Sequence, residues 1–275
     1  MTTDVKNPPI LDPLETAYIV DPSRPVLTRG REIAAGHTIR DHSHPRGQLL
    51  WAITGVVKVM SHACVWVVPP SHAVWIPGGL PHRFATETDA DMLNLYVDPS
   101  RPVREGKGPK GQGCAVLELT PFVRELILQL DLRTQDGTYD DRALRLAEVA
   151  LDELEMLPEA PLSLPGGQDA RLVRLTQHLA ANPADRRPLA ELAQAFGTTP
   201  RTLERLFRNE TGLSFRQWRN RLRLLAAIDA LNRGDSSTAI AFSLGWHSPS
   251  AFVAAFREQF GTTPQRFLHE ARAAA

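Results

Sequence analysis

The spacing of hydrophobic residues changes near residue 120, from short runs to helical stripes. Before that point, β-branched and aromatic residues form runs of four or five, separated by glycine or proline. These runs are 49–53, 56–60, 65–68, 73–76 and 93–97. Several short strands with regular turn signals predict an antiparallel sandwich or barrel.

Two amphipathic helices are predicted next. Thr120 is an N-cap candidate with Pro121 at the first helical position, and a second helix is expected from about 140 to 157. The apolar stripes are Phe122, Leu126, Ile127 and Leu130, then Leu144, Ala147, Ala150 or Leu151, and Leu154. Such stripes either pair two chains or pack on the flank of the chain's own sheet, and the sequence leaves both open.

After residue 188 one helix-turn-helix pattern occurs twice. The helices expected are 188–196 and 199–209, called here the first reading unit, and 237–244 and 248–260, the second reading unit. Thr199 and Ser248 are each an N-cap followed by proline. A helix of 18 residues, from Phe215 to about Asn232 behind the N-cap Ser214, joins the two units. Its length of roughly 27 Å is close to the ~34 Å between successive major-groove faces on one side of DNA.

Charge is distributed unevenly along the chain, although the net charge is zero. Residues 168–275 hold 15 arginines and 9 acidic residues, a net charge of +6, whereas the preceding part is acidic by the same amount. This asymmetry is typical of a basic module that binds a polyanion.

The apolar positions of each reading unit decide which side chains face outward. The expected DNA-binding residues are Arg201, Thr202, Arg205 and Arg208 in the first unit, and Ser248, Ser250, Ala251, Ala254 and Arg257 in the second. Arginine reads guanine edges with two parallel hydrogen bonds, whereas short side chains discriminate weakly. We therefore expect the first unit to set most of the sequence specificity and the second to anchor mainly on phosphates.

Residues 168–268 resemble the AraC-type transcriptional regulators. The segment from Ile240 to Phe252, with Phe256–Arg257, Gly261 and Pro264, looks like that family's second-unit signature, and 201–215 looks like its first. The resemblance implies control of bacterial transcription, usually by a dimer that answers a small signal. Several members activate transcription by touching RNA polymerase.

The N-terminal half resembles a cupin, a small β-barrel that such regulators often carry as a sensor. Gly36, His42, His44, Gln48 and Gly55 match the first cupin motif, and Pro77, Gly79 and His82 match the second; Ser71 and Thr86 depart from it. The resemblance implies that His42, His44, Gln48 and His82 bind the effector or one divalent transition metal ion. Gln48 stands where cupins use an acid, and a neutral amide is a weaker ligand than a carboxylate.

The resulting fold prediction is α+β, an antiparallel β-barrel followed by a helical linker and an all-α double helix-turn-helix domain. The domains expected are a flexible arm at 1–24, the cupin sensor at 25–105, a loop and helical linker at 106–167 as the candidate homodimerisation region, and the DNA-binding domain at 168–270. With no signal peptide, no membrane helix and two cysteines, the sequence predicts a cytoplasmic protein.

Two other functions compete with the regulator. One is a metal-dependent cupin enzyme with an appended DNA-binding module, which the absence of a further acid–base constellation disfavours. The other is an architectural DNA-binding protein whose barrel binds nothing. It predicts DNA binding that no small molecule changes.

Overall fold

The computed structural model describes residues 9–61, 64–86, 88–106, 114–134, 138–160 and 162–273. By its internal contacts the chain divides into two compact units. The first comprises residues up to 60 together with 68–160, and the second comprises 61–67 and 161–273.

The strands and helices are numbered in chain order. The strands are β1 Ile10–Leu11, β2 Val26–Ile33, β3 Thr38–His42, β4 Gly47–Thr54, β5 Val57–Ser61, β6 Cys64–Val68, β7 His72–Ile76, β8 His82–Thr86, β9 Ala90–Val97, β10 Ala115–Glu118 and β11 Ser163–Pro165. The helices are α1 Pro121–Thr134, α2 Asp141–Met156, α3 Ala170–Ala181, α4 Leu189–Ala195, α5 Pro200–Leu206, α6 Phe215–Asn232, α7 Ser237–Ser243, α8 Pro249–Phe260 and α9 Pro264–Ala273.

The first unit contains two sheets rather than one closed barrel. One sheet includes β1, β3, β8 and β5 in this order, and the other has the order β10-β7-β4-β9-β2. The pairs along the second sheet are antiparallel, whereas β1 pairs parallel with β3. The predicted sheet domain followed by a helical domain is confirmed. The closed barrel is corrected, because among the described residues the outer strands β10 and β2 each pair with one neighbour only.

One face of the second sheet forms the main core together with α1 and α2. Leu49 and Trp51 of β4 and Leu93 and Leu95 of β9 belong to the same apolar cluster as the buried residues of both helices. Side chains alternate along a strand, so Gln48 on β4 and Asn94 on β9 lie on the opposite face. The buried stripes of α1 and α2 therefore pack on the sheet of their own chain.

The buried stripes of these two helices begin one residue away from the predicted position. Val123 and Ala143 are each 1% exposed, whereas Phe122 and Leu144 are 57% and 38% exposed. The neighbouring residues are both apolar in each case, and the packing against the sheet selects one of them. The predicted N-cap is present, since the Thr120 hydroxyl accepts a hydrogen bond from the backbone N–H of Val123 at 3.2 Å.

The helices of the second unit follow the predicted caps closely. Thr199 and Ser248 cap α5 and α8, and Ser214 forms a capping box at the start of α6, which spans the predicted 18 residues. The first reading helix ends earlier than predicted, at Leu206, and 207–211 widens into a π turn. Within this unit β11 pairs antiparallel with β6, placing Ser163 opposite Trp66.

The segment expected as a flexible arm makes defined contacts where it is described. Residues 1–8 lie outside the described residues, β1 pairs with β3, and a short 3-10 turn occupies Glu15–Tyr18. Within the described part of the chain, no helix combines the length and the apolar character needed to cross a bilayer.

Candidate functional site

Three histidines and one glutamine, called here the histidine cluster, meet in the first unit. His42 ends β3 and pairs opposite His82, which begins β8, while His44 follows two residues after His42. The ring centroids of His42 and His82 are 4.3 Å apart, and those of His44 and His82 are 5.2 Å apart. One nitrogen from each ring lies within 4.8 Å of the others. Gln48, from β4, completes the cluster from the other sheet.

Backbone carbonyls fix the same tautomer in all three imidazoles. The Nδ1 atoms of His42, His44 and His82 lie 2.8 Å from the carbonyl oxygens of Arg40, Arg46 and Leu80 respectively. A carbonyl oxygen only accepts, so each Nδ1 carries the hydrogen and donates it. The Nε2 atom of each neutral ring is therefore left with a lone pair.

A chain of amides fixes the orientation of Gln48. The carbonyl oxygen of Arg29 accepts from Asn94 Nδ2 at 3.3 Å, so Asn94 Oδ1 faces Gln48 and accepts from its Nε2 at 2.7 Å. Gln48 Oε1 consequently points at the imidazoles. It lies 3.0 Å from His44 Nε2 and 3.2 Å from His82 Nε2.

This arrangement brings lone pairs together unless a positive charge lies among them. Either the imidazoles take a second proton or a cation sits between the nitrogens and Gln48 Oε1. Burial lowers the pKa of all three histidines, that of His82 to about 4, which disfavours the second proton at neutral pH. Neutral imidazoles, each with its other nitrogen bonded to a carbonyl, are the usual ligands of zinc, nickel, copper or iron. The donor set therefore fits a divalent transition metal ion.

A narrow cavity adjoins the cluster. Its lining includes His42, Gln48, Asn94 and Tyr96, together with Pro13 and Leu14. The volume within which the centre of a water molecule could move is about 10 Å³. This is roughly the volume that one bound water needs. In this conformation the space suits an ion or a water better than an organic molecule.

A buried ion pair, Arg46 with Asp98, lies beside the cluster. The Arg46 guanidinium is fully buried, 3.1 Å from the Asp98 carboxylate, and donates to carbonyl oxygens in 19–25 and on β9. Burial by itself raises the pKa of Asp98, but hydrogen bonds from Ser100 and Asp21 and the charge of Arg46 hold it below its ordinary value.

Sequence reasoning found the histidines and Gln48 through a motif but missed Asn94, Arg46 and Asp98. Asn94 interrupts an apolar strand, and a polar residue there signals a buried hydrogen-bonded group. Nothing comparable marks Arg46, since arginine between a turn and a strand is ordinarily exposed.

The first reading unit presents the predicted arginines to solvent. Leu203, Leu206 and Phe207 are buried, while Arg201, Arg205 and Arg208 are exposed. Arg201 and Arg205 share one face of α5, four residues apart, and Arg208 lies beyond the helix in the π turn. Thr202 is half-buried, and its hydroxyl lies 3.0 Å from that of the capping Thr199.

The second reading unit presents short side chains instead. Ser250, Ala251, Ala254 and Arg257 are exposed on α8, and the half-buried Ser248 caps this helix. Ser250, Ala254 and Arg257 line an open groove of about 780 Å³, together with Pro249, Val253, Glu258 and Thr263. The exposed positions Ser250, Ala251 and Ala254 of α8 therefore carry short side chains, whereas Arg201 and Arg205 of the first unit carry guanidinium groups.

The joining helix α6 buries one apolar face, with Phe215, Trp218, Leu222 and Leu225 each at most 6% exposed. Two of its arginines donate to backbone carbonyl groups of the segment before α4. Arg219 donates to the carbonyl oxygen of Arg187 at 2.8 Å, and Arg223 donates to that of Asp185 at 3.1 Å. Both guanidinium groups are thus engaged within the unit.

Two protein families match this chain. Residues 24–148 match the family described as the AraC-like ligand-binding domain, and residues 192–270 match a helix-turn-helix domain. The first match covers the histidine cluster, and the second covers the reading units from Leu192 onward.

Similar proteins are transcriptional regulators. The chain is 35% identical to the HTH-type transcriptional regulator NimR of Escherichia coli K12 over 227 residues, 82% of this chain and 81% of NimR. It is 31% identical to the HTH-type transcriptional activator RhaS of an Enterobacter strain over 146 residues, 52% of each chain. Among solved structures, ToxT of Vibrio cholerae aligns with 89% of this chain and 98% of its own, at 12% identity and a TM-score of 0.38.

Proposed function

Because this chain belongs to the AraC-type family of helix-turn-helix transcriptional regulators, we propose that a divalent transition metal ion at the histidine cluster is the signal to which its DNA binding responds. The chain is a transcriptional regulator with an N-terminal ligand-binding domain and a C-terminal DNA-binding domain. Three further properties are proposals: the identity of the effector, the residues that read the DNA sequence, and the assembly of two chains into a homodimer.

The proposal of a metal rests on the lone pairs of the histidine Nε2 atoms and of Gln48 Oε1, which face one another in the cluster. His42, His44 and His82 would hold the ion through Nε2, and Gln48 through Oε1. The ion supplies, when bound, the positive charge that these four donors lack. Gln48 comes from β4 of one sheet and His42 and His82 come from β3 and β8 of the other, while His44 follows β3. Ligation by all four residues therefore ties the two sheets together.

Metal titration of the purified full-length protein tests this part. Zinc or nickel should raise the melting temperature of the wild type, because a ligand that binds only the folded state stabilises it. His82→Ala should abolish this rise, whereas His37→Ala, which removes a half-buried histidine outside the cluster, should retain it. An equal rise in both variants would show that the metal binds elsewhere. Elemental analysis should find about one ion per chain.

For DNA binding, we propose that the two reading units contribute unequally to sequence specificity, the first more than the second. Exposure of Arg201 and Arg205 on one face of α5 supports base contacts by these two side chains, each good bidentate pair contributing roughly 1–3 kcal/mol of discrimination. The short side chains of Ser250 and Ala254 leave the second unit to follow the backbone and the thymine methyl groups.

Selection of duplexes from a random library by the full chain tests the reader. Arg201→Ala should flatten base preference in one half of the recovered site, while Arg216→Ala, which removes an exposed arginine of α6, should not. The reasoning is wrong if changes at Ser250 or Ala254 alter the recovered sequence more than Arg201→Ala does. Adding the metal should change the affinity for the recovered site by at least severalfold.

A homodimer through the outer faces of α1 and α2 is the proposed assembly. With their inner stripes on the sheet, these helices still expose Phe122, Leu132 and Met156 at 57%, 64% and 79%. Sedimentation at micromolar concentration should give a dimer, and Leu132→Gln should weaken it. Phe242→Gln removes a comparably exposed side chain from the second unit and serves as control. A monomeric wild type contradicts this assembly.

Activation is the proposed direction of control, because RhaS relatives are named as activators. Addition of the protein to RNA polymerase on a template that carries the recovered site should raise transcription. A fall would assign repression instead. Turnover of a ligand by the metal-loaded protein would revive the alternative of a cupin enzyme, which the regulator relatives do not favour.

A further inference from the structure

Arg186 reaches from the loop before the first reading unit to the second reading unit. This loop, 182–188, joins α3 to α4, and Arg186 Nη2 donates to the carbonyl oxygen of Phe242 at 2.6 Å. Phe242 lies in the last turn of α7, where carbonyl groups lack partners within the helix. A cation there caps the helix and interacts favourably with its dipole.

Arg223 of α6 lies against the same part of the second unit. A Cβ atom built on Gly245, in the turn between α7 and α8, would be 3.2 Å from Arg223 Cζ and 3.4 Å from Arg186 Nε. The corresponding glycine of the first unit, Gly197, has nothing within 4 Å of such an atom. The arginines thus support one of the two turns and leave the other uncovered.

The loop that carries Arg186 is itself held in place. The Asp185 carboxylate accepts hydrogen bonds from the Arg187 guanidinium and lies 3.1 Å from His178 Nε2 on α3. From α6, Arg223 donates to the carbonyl oxygen of Asp185 and Arg219 donates to that of Arg187. Because these contacts hold the loop, Arg186 can fix the position of the second reading unit relative to the first.

We propose that Arg186 and Arg223 lock the second reading unit to the first and thereby set the separation of the two half-sites that one protein chain accepts on DNA. The inference rests on the proposed function, in which both α5 and α8 enter the major groove. Between α6 and α7 only 233–236 intervene, and that short link alone allows rotation. One inserted base pair moves a half-site by about 3.4 Å and rotates it by roughly 35°. A locked pair of units cannot follow that change.

A direct phosphate contact is the alternative role for Arg186, which is exposed. The two roles make different demands on the side chain. A phosphate contact needs positive charge, which lysine retains. The lock needs the planar guanidinium, which reaches the Phe242 carbonyl and covers Gly245 together with Arg223.

Binding to duplexes that differ only in half-site separation tests the lock. The full-length protein is titrated with the duplex recovered by selection and with versions one base pair longer or shorter between the half-sites. For the wild type we expect each change to weaken binding at least about tenfold, comparable to a mismatched base pair. Arg186→Gln, Arg186→Lys and Arg223→Gln should each reduce that penalty by about fivefold. Arg174→Gln, an exposed arginine of α3, should leave it unchanged.

Three results separate the explanations. If Arg186→Gln weakens all separations equally and Arg186→Lys restores them, the side chain is a phosphate contact and the lock is refuted. If the penalty is the same in the wild type and all the variants, the lock is also refuted. If selection returns no preferred sequence, or a single half-site, the proposed function is refuted, because two helices then do not read the DNA. The lock, which rests on that function, is refuted with it.

Discussion

Replacement of Arg46 by methionine should strongly destabilise the first unit. The guanidinium is 0% exposed, bonded to Asp98 and to five backbone carbonyl oxygens. Methionine fills similar volume but leaves the Asp98 carboxylate buried without its counter-charge and the carbonyls without donors. Breaking a buried pair from one side costs about 3–5 kcal/mol. Asp98 keeps three other donors, from Asp21 and Ser100, which favours the lower part of this range.

Hydrogen exchange of the full-length protein measures this loss locally. Peptides from β4 and β9 should lose protection by about two orders of magnitude or more, since 1.4 kcal/mol corresponds to a factor of ten. Peptides from α6, in the other unit, provide the internal reference. Arg40→Met breaks the exposed pair with Asp12, whose side chains are 61% and 76% exposed, and should cost at most about 1 kcal/mol.

Two results would refute this reasoning. A loss of protection in Arg46→Met no larger than in Arg40→Met would mean that the carbonyls find water and that the pair stabilises little. Full additivity of Arg46→Met and Asp98→Asn in a double-mutant cycle would mean that the two groups do not interact energetically.

Three further predictions concern the rest of the fold. Gly47→Ala should lower the denaturant midpoint by an amount equivalent to about 1–3 kcal/mol, because the added Cβ atom would lie 2.5 Å from the Trp75 ring. Gly30→Ala is the control and should leave the midpoint unchanged, because the nearest atom to its added Cβ is 3.8 Å away. Ser214→Ala should cost about 1 kcal/mol by removing a capping box, seen as faster exchange at the start of α6; unchanged exchange would contradict it. Because the pKa of Asp98 is below its ordinary value, stability should be constant at neutral pH and fall once the pH drops below about 4; Asp98→Asn should flatten that fall.

Local signals explain why the second unit could be predicted from sequence. Three of its helices begin at a capping side chain that the sequence marks, and Ser214, Thr199 and Ser248 stand at starts that the structure reproduces. Buried residues at helical spacing fix which faces turn inward, so the exposure of Arg201 and Arg205 follows. The π turn after Leu206 has no such signal, since no capping side chain marks its start.

The first unit was harder to predict because its strands are defined by their partners. β2 and β8 contain charged residues at exposed positions, and β10 follows a segment rich in glycine, so neither composition nor alternation marks them clearly. The number of sheets depends on which edges pair, and that is a long-range property. Motif spacing located the four members of the histidine cluster, but the amide of Asn94, which aims Gln48 at them, comes from a strand 46 residues later.

The short strand β11 has a consequence for cutting the protein apart. The carbonyl oxygen of Pro165 accepts the indole N–H of the buried Trp218 at 2.8 Å, and β11 pairs with β6, from a distant stretch of chain. A fragment that starts at residue 168 loses this acceptor and leaves a buried donor unsatisfied. Chimeras that exchange the DNA-binding half between relatives should therefore be joined before Leu162. They should also take residues 64–67 from the same parent protein as the DNA-binding half, because the second unit is built from two separate stretches of the chain.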